Sequence, residues 1–178
     1  EFNADTATCI PETALVQWAA LKANGLDEES QFNTLYEKLV SSFEEIKEAN
    51  SEKEPAILIT SMEGFPEDYS NVQVLMEAAK EAGFEVAHEY ITGVEFSPTE
   101  GIFIQNADST FTRYDFWFKL IPWEFMVWDE PELLNILTEL VISGKTVVMN
   151  PAYTMLFQSK GILKILWDLY PNHPLLLE

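Results

Sequence analysis

The sequence predicts an α/β fold, a mainly parallel layered sheet preceded by a helical pair. Three observations carry that prediction. The short unbroken apolar run Ala56-Ile57-Leu58-Ile59-Thr60 has the character of a strand covered on both faces. A helical stretch over 71–82 and an alternating stretch over 84–91 follow it, making a βαβ unit whose crossover is right-handed. Before it, apolar residues recur every three or four positions, the period of helices with one buried face.

Each element has its own signal. Residues 12–24 place Leu15, Trp18 and Leu21 at helical spacing, and Gly25 supplies a stop. Residues 29–49 repeat Phe32, Leu35, Leu39, Phe43 and Ile46, with acids between them facing water. The polar, acidic stretch from Glu48 to Pro55 is the expected boundary. It separates 1–54, a strand end and helical segment, from 55–178, the α/β substrate domain. Over 71–82, Val72, Leu75, Ala79 and Ala82 share one side and Gly83 lies beyond the end. Residues 102–105 and 111–121 read as two strands, and the turn-rich Asn106-Ala107-Asp108-Ser109 allows a hairpin between them. Pro131 to Ser143 reads as a helix with proline in its first turn and Gly144 at its stop. Lys145 to Met149 reads as a strand, and Thr154 to Tyr170 as a last helix closed by Pro171.

Composition narrows the function. Thirty acids against ten bases give a net charge of −20, which repels nucleic acid and anionic membranes, so neither is an expected partner. The charge is uneven: residues 1–100 hold 21 of the acids and five of the bases. One cysteine, Cys9, excludes an internal disulfide, fits a reducing compartment such as the cytoplasm, and reads as a buried structural thiol. Two histidines and one cysteine leave no zinc cluster. No G-x-G, P-loop or G-x-S-x-G signature is present. The chain opens without methionine and stops in an apolar run, so it reads as a segment of a longer protein, with Glu1-Phe2 either native or left by cloning.

An open α/β sheet holds ligands beyond the carboxyl ends of its strands. Those ends lead into 61–69, into Pro122-Trp123-Glu124, and into Asn150-Pro151. Acids and aromatics gather in the first two. Glu67 and Asp68 suit an amine there, and would equally open the following helix, where acids complement its dipole. Glu1 and Asn3, two apart in an extended chain, could offer oxygens to one hard cation such as magnesium. Lys160, near the start of the last helix, could meet a phosphate or simply stand in water.

In order, the motifs Glu-x-Asn-Ala-Asp-Thr at 1–6, Gln17-Trp18, Pro66-Glu67-Asp68-Tyr69, Phe118-Lys119-Leu120-Ile121-Pro122-Trp123-Glu124 and Ser159-Lys160-Gly161-Ile162-Leu163 resemble the glutathionylspermidine synthase family. So does Leu166-Trp167-Asp168-Leu169-Tyr170-Pro171-Asn172-His173-Pro174, the longest and most specific of them. The resemblance runs from end to end and is stronger to stand-alone acid–amine ligases than to the bifunctional synthase–amidases. It implies a Rossmann-like pre-ATP-grasp domain of an ATP- and magnesium-dependent ligase. Such an enzyme forms an acyl phosphate on a carboxylate, here that of glutathione or a similar peptide, and an amine such as spermidine then attacks it. By the resemblance Glu1 and Asn3 hold magnesium, Thr6 and Glu67 contact the peptide, and Lys160 reaches the nucleotide phosphates.

The departures are specific. Pro66 stands where the polyamine-using enzyme has a second acid, and Leu120 stands where it has a hydroxyl. The family's arginine and aspartate before Glu1, and its ATP-enclosing lobe after Glu178, would belong to the remainder of a ligase chain. Acyl phosphate formation brings two anions together, and at about 4 Å they repel by roughly 4 kcal/mol at an effective dielectric of 20. With ten bases and one phosphate-facing lysine, this chain alone is expected to show no turnover. A second reading, a non-catalytic binding or interaction module, rests on the acidic surface and on Trp117, Trp123, Trp128 and Trp167, of which Trp167 reads as core packing.

Overall fold

The computed structural model describes residues 5–176. Its centre is a four-stranded, fully parallel sheet. Strand β1 (Ala56–Ser61) pairs with β2 (Glu85–Tyr90) on one side and β6 (Phe116–Lys119) on the other, and β7 (Val147–Val148) closes the order β2-β1-β6-β7. A separate antiparallel meander holds β3 (Val94–Ser97), β4 (Gly101–Gln105) and β5 (Phe111–Tyr114). The α/β class and the parallel sheet agree with the sequence.

The apolar run in β1 is explained by burial on both faces. Side chains alternate across a strand. Ile57 and Ile59 therefore join Phe116 under helices α2 (Leu35–Ala49) and α3 (Pro66–Glu81), against Phe43, Val72, Leu75 and Ala79. Leu58 points the other way and joins Trp117 in a second core. There it meets the meander through Ile102 and Tyr114, α4 (Trp123–Asp129) through Met126, and α5 (Pro131–Ile142) through Leu137 and Leu140. The N-terminal segment enters the first core through Ile10 and Ala14, just ahead of α1 (Gln17–Ala23). Gly83 ends the turn after α3 at φ +84, and a Cβ there would meet Lys47 Nζ at 2.6 Å, because that lysine caps the turn by donating to the Ala82 carbonyl.

Several elements differ from expectation. The helix expected over 29–49 starts only at Leu35. Asn33 accepts from Leu35 N (3.0 Å) and donates to the Thr13 carbonyl (3.1 Å), holding the chain out of the helix and leaving Phe32 exposed. The stretch 111–121 is two strands in two sheets, broken at Asp115, whose carboxylate is held by Arg113 (2.8 Å) and Glu54 N (3.3 Å). The third helix begins at Pro66, earlier than 71, because proline suits a first helical position. The last helix is interrupted at Ser159, giving α6 (Met155–Gln158) and α7 (Gly161–Leu169). Ser159 is extended, and it receives Gly161 N at its hydroxyl and Ile162 N at its carbonyl, which starts a new helix. Helix α4 and strand β3 were not anticipated.

Cys9 is exposed and lies at φ +59, so it is not the buried thiol the sequence suggested. Trp117 and Trp123 are core residues, Trp128 is exposed and Trp167 half-buried. Two of the four tryptophans behind the interaction-module reading are therefore spent on packing. No helix of the described residues is long and apolar enough to cross a membrane.

Candidate functional site

The carboxyl ends of β1, β6 and β7 face one rim, and the N-terminal segment crosses it. The crossing is fastened by a buried network around Asp5. Its carboxylate meets Lys119 Nζ at 2.7 Å, at the end of β6, and both side chains are fully buried. The second oxygen accepts Trp123 N at 2.9 Å, which caps the start of α4. Lys119 also donates to the Ile121 carbonyl (2.8 Å) and lies 4.3 Å from the Trp123 ring centroid. Asn150, just after β7, donates to the carbonyls of Asp5 (2.9 Å) and Lys119 (2.6 Å) and accepts from Lys119 N (3.2 Å). Thr154 and Gln158 reach the same residue, at Asp5 Oδ1 (3.4 Å) and Asp5 N (3.4 Å). Burial lowers the Lys119 ammonium to about 8 even though the Asp5 carboxylate pulls the other way.

Beside this network opens a cleft of about 270 Å³. The N-terminal segment contributes Thr6 and Thr8; the β1–α3 connection and first turn of α3 contribute Met62, Phe65 and Asp68; the segment after β6 contributes Leu120, Pro122 and Phe125. Residues 63–65 are exposed, so the connection is open to solvent and not covered by other elements. A second tie holds the N-terminal segment here: Asn71 in α3 accepts from Ile10 N (2.9 Å) and donates to the Glu67 carbonyl (2.8 Å). Larger concavities exist among the described residues, an apolar groove of about 510 Å³ along α5 and β7 that Trp123 and Pro151 help to line, a polar cleft of about 660 Å³ near Arg113 and Lys145, and one of about 320 Å³ beside α1, and none of them is lined by Thr6, Glu67 or Lys160.

Thr6 and Leu120 meet in the cleft although 114 positions separate them. Glu67 lies exposed in the first turn of α3, while its neighbour Asp68 forms the wall. Burial raises the Asp68 carboxyl above the ordinary carboxylate range, and the negative charge of Glu67 adds to this. Lys160 is exposed and directly precedes α7; the contact of Gln158 with Asp5 brings its segment to the rim. Glu1 and Asn3 lie outside the described residues. Among the described residues, no group of three or more His, Cys, Asp or Glu is arranged to hold a metal ion.

A polar cluster at the same end of the sheet was not foreseen. His88 Nε2 is 3.0 Å from Ser61 Oγ, and its ring is edge-on to Tyr69 and Tyr90, each at 5.2 Å. Burial lowers the His88 pKa, against a smaller opposing pull from Glu89. Between the folded value and the unfolded 6.5, the unfolded chain binds more protons, so stability rises with pH across that window and is lost as pH falls through the folded value. His88→Gln should therefore flatten the loss of urea resistance between about pH 7 and about pH 5.5 relative to wild type. Parallel slopes for the two proteins would show that His88 contributes nothing.

Over residues 1–178 the sequence matches the family described as glutathionylspermidine synthase preATP-grasp. A Haemophilus influenzae protein named as an acid–amine ligase is 32% identical over 178 residues, covering 99% of this chain and 43% of the relative. The bifunctional glutathionylspermidine synthetase/amidase of Escherichia coli K12 is 26% identical over 202 residues, covering 100% of this chain and 30% of the relative, and the Shigella flexneri protein of the same name matches equally. The chain thus spans less than half the length of the relatives it matches.

Proposed function

The chain belongs to the glutathionylspermidine synthase pre-ATP-grasp family, and from that premise we propose that it is the substrate-binding part of an ATP- and magnesium-dependent acid–amine ligase. The single observation that carries this reading is the convergence of Thr6, Asp68 and Leu120 on one cleft beyond the strand ends, where an α/β sheet binds its ligands. In this reading the cleft holds one substrate, a small peptide such as glutathione or the amine, and the product is an amide formed through an acyl phosphate.

The residues have separate tasks. Thr6 and Glu67 contact the substrate, Thr6 from the cleft wall and Glu67 from the helix turn beside it. Lys160 would hold the nucleotide phosphates, and an exposed lysine at the start of the nine-residue helix α7 suits that part. Magnesium would screen the repulsion between carboxylate and phosphate, and by family position Glu1 and Asn3 would be its ligands. The Asp5 network anchors the segment that follows those two residues. A single exposed cysteine suits work in the reducing cytoplasm.

Two measurements test the proposal. Calorimetry of the 178-residue chain against glutathione, dipeptides and amines should give heat with at least one of them. Glu67→Ala should weaken that binding by about tenfold or more with the circular dichroism unchanged. No heat from any member of the panel would sink the reading. The chain alone should form no amide from ATP, glutathione and an amine, and steady product formation would refute the assignment of the remaining machinery to the rest of a ligase.

A further inference from the structure

Resting on that reading, we propose that the rim cleft takes a single cationic amine carried on a small apolar body, either a free hydrophobic amine or the amino end of a peptide with an apolar first residue. The lining sets this chemistry. Met62, Phe65, Leu120, Pro122 and Phe125 are apolar, and Asp68 is the charged group among the lining residues. No basic side chain lines the cleft among the described residues.

A carboxylate placed in the cleft would find no fixed cation. Lys119 immediately precedes the lining residue Leu120 in sequence, but it is fully buried and directed at Asp5 and the Ile121 carbonyl. The start of α3 does not substitute for it. Asp68 N and Tyr69 N are turned back to the Phe65 carbonyl at 3.1 and 3.4 Å, and Glu67 and Asp68 already complement the helix dipole. An ammonium, by contrast, meets a half-buried carboxylate in apolar surroundings, where a charge-assisted hydrogen bond is strongest. The net charge of −20 raises the local concentration of cations and lowers that of anions.

Size and shape discriminate further. About 270 Å³ falls below the roughly 300–1,000 Å³ of pockets that enclose drug-sized ligands, so the cleft suits a short group. A polyamine would bury a second ammonium against apolar carbon, an uncompensated cost. Glutathione has an ammonium too, but it shares its carbon with a carboxylate, so presenting it to Asp68 brings that second anion to the acidic wall. Leu120 and Phe125 reward a methyl or phenyl group instead.

The test is calorimetric titration of the whole chain with four probes: phenethylamine, the dipeptide Leu-Gly, spermidine and glutathione. Phenethylamine or Leu-Gly should bind about tenfold or more tightly than spermidine and glutathione, and which of the two prevails identifies the source of the amine. Asp68→Asn should lower that affinity by about tenfold or more. Should Asp68→Asn disturb the fold, Leu120→Thr gives an independent reading by weakening the apolar probe while leaving spermidine unchanged. Tighter binding of glutathione or spermidine, or an unchanged affinity in both variants, overturns this inference and leaves the ligase reading standing. No heat from any of the four overturns both.

Discussion

Lys119→Met should destabilise the fold by about 3–5 kcal/mol, the cost of stripping one partner from a buried ion pair. For a chain of this size that lowers the melting temperature by about 10 °C. The Asp5 side chain is fully buried, so water cannot replace the lost ammonium. Trp123 N and Thr154 Oγ1 remain as donors to the carboxylate, but they do not neutralise it. The Ile121 carbonyl loses its donor as well. The double variant Asp5→Asn/Lys119→Met separates charge from packing. It removes the stranded carboxylate while keeping an acceptor for Trp123 N, and it should recover about 1–3 kcal/mol of the loss. Urea unfolding followed by circular dichroism measures both. A single variant within about 1 kcal/mol of wild type would show that the pair carries little of the stability. The consequence extends to the cleft, because the network positions the chain on either side of it: Thr6 follows Asp5, and Leu120 and Pro122 flank the Lys119–Ile121 contact.

That network is also where sequence reading fell short, and the reason is physical. Strand β1 and helix α3 declare themselves through local period: four successive apolar residues in one, Val72, Leu75 and Ala79 on one side of the other. The Asp5–Lys119 pair has no period, and its partners are 114 positions apart. One clue was present. A lysine in the run Phe116-Trp117-Phe118-Lys119-Leu120-Ile121 is bound for the interior, and a buried ammonium needs an acid. The sequence could not say which of thirty acids that was. Asp115 hid the break between β5 and β6 in the same way, since its reason for stopping the strand is a tertiary contact with Glu54 N. Strand β7 shrinks to two residues because, at the sheet edge, its pairing with β6 is limited to Phe116 and Trp117. At the site, Thr6 was indicated only by the family resemblance, whereas the opening beside the 61–69 connection was legible because strand ends in such sheets are predictable ligand positions. The exchange of Glu67 for Asp68 at the cleft wall was not, because it turns on where the helix starts, and Pro66 starts it one turn earlier than the apolar pattern indicates.

The second large effect is expected at Trp117, which joins the two sheets. Its ring is fully buried in β6, packs edge-on to Phe96 of β3 at 5.5 Å, and its indole N–H donates to Thr60 Oγ1 in β1 at 3.0 Å. Trp117→Ala should cost about 3–5 kcal/mol through lost burial and the cavity left behind. The size of the side chain and its hydrogen bond can be told apart. Trp117→Phe retains most of the ring volume but strands the Thr60 hydroxyl in a site with no exposure, a penalty of about 1–3 kcal/mol. Adding Thr60→Val removes that hydroxyl while keeping a β-branched residue that suits the strand. Trp117→Phe/Thr60→Val should therefore be more stable than Trp117→Phe alone, since deleting both partners of a buried hydrogen bond costs less than deleting one. Equilibrium denaturation of the three proteins gives the coupling directly. If the double variant proved the weaker one, Thr60 would be satisfied by something other than the indole, and Trp117 would hold the sheets together by packing alone.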